Sequence, residues 1–114
     1  MENCLFCKIA RKEIPSKIIA ESPLAIAFKD VDPKAPLHVL IVSKEHVDSF
    51  MDLQHVHADT VIEMLNLAQE VTNSQGAHDS GVRLVTNYGR DAGQSVKHLH
   101  MHVLGKRKLA WPPG

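Results

Sequence analysis

The sequence predicts an α+β fold, with an antiparallel sheet of about five strands, one long helix and one short helix. Five stretches rich in Ile, Val, Leu and Ala are separated by turn residues, and a single long stretch has helical periodicity. The length of 114 residues suits one modest core, so a single domain is expected to span 1–114. Short strands with tight turns favour helices that lie on one side of the sheet.

The first half of the chain begins with a helical turn in KIARKEIPSK. This turn is expected to end near Ile14, because the residue before Pro15 avoids helical backbone angles. The stretches IIAES, LAIAFKD and LHVLIVS predict three strands, which SP and VDPKAP interrupt.

The second half predicts the long helix and two more strands. HADTVIEMLNLAQEVTNSQG carries two apolar stripes and stops at SQG. GVRLVTNYG and KHLHMHVLG predict the last strands, joined by the loop GRDAGQSV. The stripes consist of Val61, Leu65 and Ala68, and of Met64, Leu67 and Val71. Two stripes indicate either a deeply buried helix or a helix at a dimer interface.

Charge and hydropathy argue against two classes of partner. Lys and Arg together number 13, as do Asp and Glu, so no net positive field favours nucleic acid. No apolar run approaches the roughly 20 residues of a membrane span, and the N-terminus is too polar for a secretory signal. A cytoplasmic protein with neither nucleic-acid nor membrane partners is expected.

Three histidines alternate along VKHLHMHVLGK, namely His98, His100 and His102. On a strand they would share one face, and each imidazole can bind a metal, transfer a proton or attack an electrophile near neutral pH. Alternate positions over five residues span roughly 13 Å, so one ion could not bind all three and separate roles are expected. The opposite, core-facing side would carry Leu99, Met101 and Val103.

The loop before these histidines, GRDAGQSVKH, suits an anion. Gly89 and Gly93 permit unusual backbone angles, and Gln94 and Ser95 bring hydrogen-bonding side chains. Such a loop can direct backbone N–H groups at a phosphate.

HLHMHVL resembles the His-x-His-x-His-x-x pattern, with apolar x, of the histidine triad (HIT) superfamily. FCKIARKEIPSKII, FKDVDPKAPLHVLIVSKEH, LVTNYGRDAGQSVKHLHMHVLG and the terminal WPPG resemble its Hint branch, the purine nucleoside phosphoramidases. Ala92 departs from that pattern by replacing a glycine. The resemblance implies the HIT fold, a sheet that extends across a homodimer, and hydrolysis of adenosine or guanosine 5′-phosphoramidates to AMP or GMP and an amine.

The resemblance also implies catalytic roles. His100 would attack the α-phosphorus and form a covalent nucleotidyl-histidine, which water then hydrolyses. His38 would orient the histidines, while His102 and Ser95 would contact phosphate oxygens and assist the leaving group. The tail with Trp111 would lie near the partner subunit's site.

The same resemblance assigns the purine nucleotide's contacts. Asp30 would accept hydrogen bonds from both ribose hydroxyls, and Asn87 would lie near the ribose and phosphate. Gly93, Gln94 and Ser95 would cradle the phosphate. The base would lie in an apolar slot whose members also suit a plain core, namely Phe6, Ile9, Ile14, Phe28 and Val31.

Cys4 and Cys7 form a C-x-x-C pair. The residues alone leave open a redox pair, half of a metal site or two unrelated small hydrophobes. Animal Hint proteins lack this pair, but several bacterial triad proteins have it. That resemblance implies a structural Cys2His2 zinc site completed by His46 and His98, with no open position and no part in the chemistry.

Two other functions stay open from the sequence. A dinucleoside polyphosphate hydrolase of the Fhit-like branch would share the triad and the covalent step. A non-catalytic nucleotide-binding protein would need no nucleophile, so the intact His100, His102 and Ser95 argue against it.

Overall fold

The computed structural model describes residues 3–114 and has a five-stranded antiparallel sheet with two α-helices. In chain order the elements are α1 (Leu5–Ala10), β1 (Ile18–Glu21), β2 (Ala25–Lys29), β3 (Leu37–Ser43), α2 (Ala58–Ser74), β4 (Val82–Val85) and β5 (His100–Gly105). Two 3-10 turns, Phe50–Asp52 and His55–His57, lead into α2. This architecture confirms the predicted α+β fold. None of the helices in the described part of the chain has the length and apolarity needed to cross a membrane.

The strands are ordered β1-β2-β3-β5-β4 across the sheet, so the last strand in sequence lies between β3 and β4. The register between β3 and β5 places Val42 opposite His100, Leu40 opposite His102 and His38 opposite Leu104. Every residue of β3 is buried, as expected of a central strand covered on both faces.

The long helix α2 covers one face of the sheet. Met64 and Val71 are fully buried, and Leu67 and Ala68 are nearly so. They pack against alternate residues of β2 and β3, among them Ala25, Ala27, Val39 and Ile41. The Met64–Leu67–Val71 stripe therefore faces the core, while Val61 and Leu65 of the other stripe are only half-buried.

The short helix lies on the opposite face, so the expectation that the helices share one side is wrong. Phe6, Ile9 and Ala10 of α1 pack with Ile26, Phe28, Leu40 and Val42, which alternate along β2 and β3 with the residues under α2. The central strands are apolar on both faces, and each face therefore needs its own cover.

The end of α1 is also a correction, because the helix stops at Ala10 rather than near Ile14. Its N-cap is Cys4, whose sulfur accepts a hydrogen bond from the Cys7 backbone N–H. Beyond it, Lys12 takes a left-handed φ of 63°, and the Glu13 N–H donates to the Lys8 carbonyl. This reversal ends the helix without a glycine.

Candidate active site and metal centre

A cleft of about 360 Å³ opens on the face that α1 covers. Nine residues predicted to bind the nucleotide or to act in catalysis line it: Phe6, Ile9, Ile14, Phe28, Asp30, Val31, Ser95, His100 and His102. Phe28 and Ile9 are only 3% and 7% exposed, so they are core residues as well as cleft walls. Val31, at 98% exposure, lies at the open rim.

His100 is held in one tautomer by the backbone. Its Nδ1 lies 2.6 Å from the carbonyl oxygen of His98. A carbonyl can only accept, so Nδ1 carries the proton and Nε2 keeps its lone pair in the neutral ring. Burial lowers the pKa of His100, and the ring of Phe6 packs edge-on at 4.9 Å. The cleft therefore contains an oriented, uncharged imidazole.

A second chain of hydrogen bonds orients His102. The Lys34 backbone N–H donates to Nδ1 of His38 at 3.0 Å, so Nε2 of His38 carries the proton. That Nε2 lies 2.9 Å from Nδ1 of His102 and 3.3 Å from Oδ2 of Asp30. His102 consequently accepts at Nδ1 and is left with its proton on Nε2.

Burial also keeps the His102 imidazole uncharged. Burial, then the nearby rings of His100 and His38, lower the pKa of His102 to about 4. The ligand-type atoms of Asp30, His38 and His102 lie within 4.8 Å of one another and could also hold a metal ion. Hydrogen bonds already satisfy this group without one.

The glycine-containing loop is closed by Gln94. Gly89 and Gly93 have φ of 85° and 80°, which confirms the left-handed angles expected of them. The Gln94 side chain accepts from the Gly89 N–H at 3.1 Å and donates to the Asp48 carbonyl at 2.8 Å. The Gln94 amide is therefore engaged within the protein, and its phosphate contact stays a prediction.

Two further predicted residues flank this loop. Asn87 donates from its side chain to the Ala92 carbonyl at 2.7 Å, which braces the loop from the β4 side. Ser95 is exposed and lines the cleft. Of these two residues, only Ser95 lines the cleft.

His98 lies apart from the strand that carries His100 and His102, because β5 begins only at His100. The expectation of one continuous strand is therefore wrong, although the Phe6 ring of α1 packs against both His98 and His100, so these two histidines share a face as expected. A bend at residues 96–98 turns His98 inward, where it is completely buried. The opposite side agrees with expectation, since Leu99 and Val103 are buried in the α2 core and Met101 packs against it.

Cys4, Cys7, His46 and His98 converge into a group that could hold a metal ion. Nδ1 of His98 lies 3.2 Å and 3.5 Å from the sulfurs of Cys4 and Cys7, and Nδ1 of His46 lies 3.3 Å from Cys7. A tetrahedral zinc ion with ordinary Zn–S and Zn–N bonds would separate sulfur from nitrogen by about 3.6 Å. Two thiols and two imidazoles at these distances fit such an ion.

The outer nitrogens of both histidines support this fit. Nε2 of His98 donates to the Ser43 carbonyl at 2.7 Å, and Nε2 of His46 lies 2.7 Å from the Asp48 carboxylate. Each ring therefore presents its Nδ1 lone pair to the cysteines. Histidines that bind a metal usually donate their other ring N–H to an oxygen in this way. Ser43 and Asp48 were missed from the sequence; only the position of Asp48, two residues after His46, was a usable signal.

Comparisons with known proteins agree with this arrangement. A sequence model of the HIT domain matches residues 11–109. The purine nucleoside phosphoramidase of Escherichia coli K12 is 38% identical over 108 residues, covering 95% of this chain and 91% of that protein. A HIT family hydrolase from Legionella pneumophila Philadelphia 1 superposes with a TM-score of 0.95 at 40% identity, over 98% of this chain and 100% of that one. A HIT family hydrolase from Clostridium thermocellum gives 0.93 at 43% identity, over 96% of each chain.

Proposed function

Because the chain belongs to the HIT domain family, we propose that it hydrolyses purine nucleoside 5′-phosphoramidates to a nucleoside monophosphate and an amine. The orientation of His100 is the observation that carries the proposal. A neutral imidazole with a free Nε2, in a cleft that also presents Asp30 and Ser95, is suited to nucleophilic attack. The Escherichia coli relative, whose name describes this activity, supports the choice of substrate.

The proposed reaction has two steps. Nε2 of His100 attacks the α-phosphorus, the phosphorus–nitrogen bond breaks, and the amine leaves with a proton that His102 donates from Nε2 and regains from the attacking water in the second step. Water then attacks the nucleotidyl-His100, releases the monophosphate and restores the imidazole. His102, with its proton on Nε2, and the Ser95 hydroxyl donate to the phosphate oxygens as negative charge develops there.

The nucleotide's position follows from the chemistry of the cleft. The purine enters the apolar part lined by Phe6, Ile9, Ile14, Phe28 and Val31. Asp30 accepts from the ribose hydroxyls, since an ionised carboxylate offers two acceptor oxygens. The Ser95 hydroxyl contacts the phosphate, whereas the backbone N–H groups of Gly93 and Gln94 already donate to the carbonyls of Arg90 and Gly89 within the loop.

The metal centre is proposed to hold zinc. Bound by two thiolates and two imidazoles, the ion would cross-link α1 to the segments around His46 and His98 and leave no coordination position for water. Every step of the reaction is accordingly assigned to side chains of the cleft. Thiolate ligands need reduced cysteines, which suits the cytoplasmic location expected from the sequence.

A homodimer is also proposed, on the strength of two surfaces. β4 is an edge strand with one unpaired side, and Leu84 on it is 42% exposed. A groove beside it is lined in part by Leu65, Ala68 and Val82. Size-exclusion chromatography with light scattering tests this state, and a monomer at micromolar concentration would contradict it.

Product analysis tests the activity. Adenosine 5′-phosphoramidate and diadenosine tetraphosphate are supplied separately, and AMP release is measured for the wild type, His100→Ala and His55→Ala. His55 is an exposed histidine, so its variant controls for the substitution itself. We expect the phosphoramidate to be preferred, His55→Ala to be unaffected, and His100→Ala to lose at least about 10³-fold in kcat.

The covalent step has its own readout. Quenching in alkaline denaturant, which preserves a phosphorus–nitrogen bond to histidine, should trap an adenylyl group on the wild type during turnover and none on His100→Ala. Preference for the dinucleotide would favour the Fhit-like function, and undiminished turnover by His100→Ala would refute the nucleophile.

A further inference from the structure

Two ligands of the metal centre are each connected to the candidate active site by hydrogen bonds. His98 is both a ligand-type side chain and the residue whose carbonyl orients His100. His46 binds Asp48, and the backbone of Asp48 holds Gln94. The metal centre and the cleft are therefore connected, once through His98 and once through Asp48.

The first connection runs through His98. Its ring is fixed on both sides, by the sulfurs of Cys4 and Cys7 and by the Ser43 carbonyl. The adjoining Leu99 N–H donates to the Val47 carbonyl at 2.6 Å, which ties this bend to the segment that follows His46. An ion that holds the His98 ring thus also holds the carbonyl that keeps the proton on Nδ1 of His100.

The second connection runs through Asp48. Its carboxylate accepts from Nε2 of His46 at 2.7 Å, while its carbonyl accepts from the Gln94 amide at 2.8 Å. Gln94 in turn accepts from the Gly89 N–H at 3.1 Å. Ligation of His46 therefore fixes the position of Asp48 and, through Gln94, the loop of residues 89–95.

The main core does not depend on these connections. The cluster under α2 includes Met64, Val71, Ile41 and Val103 but none of the four metal-ligand residues. It lies on the opposite face of the sheet from α1, so loss of the ion should leave the α2 core packed.

We propose that the metal centre positions the catalytic site, through His98 toward His100 and through Asp48 and Gln94 toward the 89–95 loop. His98 would then be a positioning residue as well as a metal ligand. Asp48 would be a positioning residue as well as the hydrogen-bond partner of the ligand His46. The inference rests on the proposed metal and on the proposed role of His100, but its test uses no activity measurement and therefore fails or succeeds separately from the proposed function.

Hydrogen exchange on zinc-loaded and chelator-stripped protein tests the proposal. On metal removal we expect backbone exchange over residues 86–99 to rise at least about tenfold, while exchange in α2 stays unchanged. Long-range ¹H–¹⁵N spectra at pH 7.5 should show His100 as the Nδ1–H tautomer with zinc and as a mixture without it. Unchanged protection and tautomer, global unfolding of the stripped protein, or failure to bind added zinc would each overturn the proposal.

Two variants separate the connections. Asp48→Asn should weaken zinc affinity about 10-fold or more in a chelator competition, as loss of a partner to a ligating histidine does. Saturating zinc should restore the protection of residues 86–99. The matched control is Asp79→Asn, at a fully exposed aspartate in a turn. It should change neither the zinc affinity nor the protection of residues 86–99. Equal zinc affinity in the two variants would contradict the role of Asp48.

Gln94→Leu removes the second connection alone. In this variant the exchange of residues 89–93 should no longer respond to zinc, whereas the tautomer of His100 should still respond. A zinc response of the loop that survives the substitution would refute the path through Gln94.

Discussion

Acid should destabilise the fold through His102, and replacing that residue with glutamine should remove this part of the acid sensitivity. The folded protein holds the pKa of His102 at about 4 because burial, and then the rings of His100 and His38, disfavour its charged form. In the unfolded chain the pKa returns to its ordinary value near 6.5. As the pH falls, His102 therefore takes up a proton in the unfolded chain at a higher pH than in the folded protein, and this uptake favours unfolding.

The size of the effect follows from these two values. Above pH 6.5 neither state carries the proton, so the contribution of neutral His102 is fully present. Between pH 6.5 and 4 it is lost at up to about 1.4 kcal/mol per pH unit, or roughly 3 kcal/mol in all. Glutamine does not titrate, and its side-chain oxygen can still accept from His38.

Urea unfolding followed by circular dichroism, at half-unit steps from pH 7.5 to 4 and constant protein and zinc concentration, measures the difference. As the pH falls from 7.5 to 4, the free energy of unfolding should decrease more steeply for the wild type than for His102→Gln. Over this range the wild type should lose about 3 kcal/mol more than the variant. Curves that stay parallel within about 1 kcal/mol would refute the neutral state of the half-buried His102.

Three further predictions concern other parts of the molecule. Met64→Ala should cost about 2–5 kcal/mol in urea unfolding because Met64 is completely buried, and kcat should be retained; a smaller cost would mean that the α2 face repacks. Asp30→Asn should raise KM about 10- to 100-fold for a ribonucleoside phosphoramidate but little for its 2′,3′-dideoxy analogue. Equal effects on both substrates would contradict the ribose contact. Cys4→Ser combined with Cys7→Ser should abolish zinc binding in metal analysis and lower Tm by about 4–8 °C or more; an unchanged Tm would show that the site adds no stability.

The strands and the long helix were predictable because their signals are local. Alternation, apolar runs and turn residues identify β1 to β5 and α2 without tertiary information. The end of α1 was not predictable from the sequence, because RKE favours a helix and the left-handed turn at Lys12 has no glycine to mark it. The placement of the two helices on opposite faces depends on packing that no single stretch contains.

The candidate site was predictable as a set of residues but not as a geometry. The resemblance named nine of the residues that line the cleft and the four that converge at the metal centre. It did not include the groups that hold the histidine rings: the Asp48 carboxylate was signalled only by its position two residues after His46, and the Ser43 carbonyl was not signalled at all, since a backbone carbonyl has no residue-type signature. The inward turn at His98 was also hidden, because alternation in sequence continues where the strand does not.

The position of β5 in the sheet has a consequence for how the protein is made. Of the five strands described, β5 is the last to leave the ribosome, yet it is inserted between β3 and β4 and pairs with both. Until residues 100–105 emerge, β4 has no neighbour in the sheet and β3 is paired only with β2. A chain that stops short of His100 therefore lacks both the proposed nucleophile and the strand that joins β4 to the rest of the sheet.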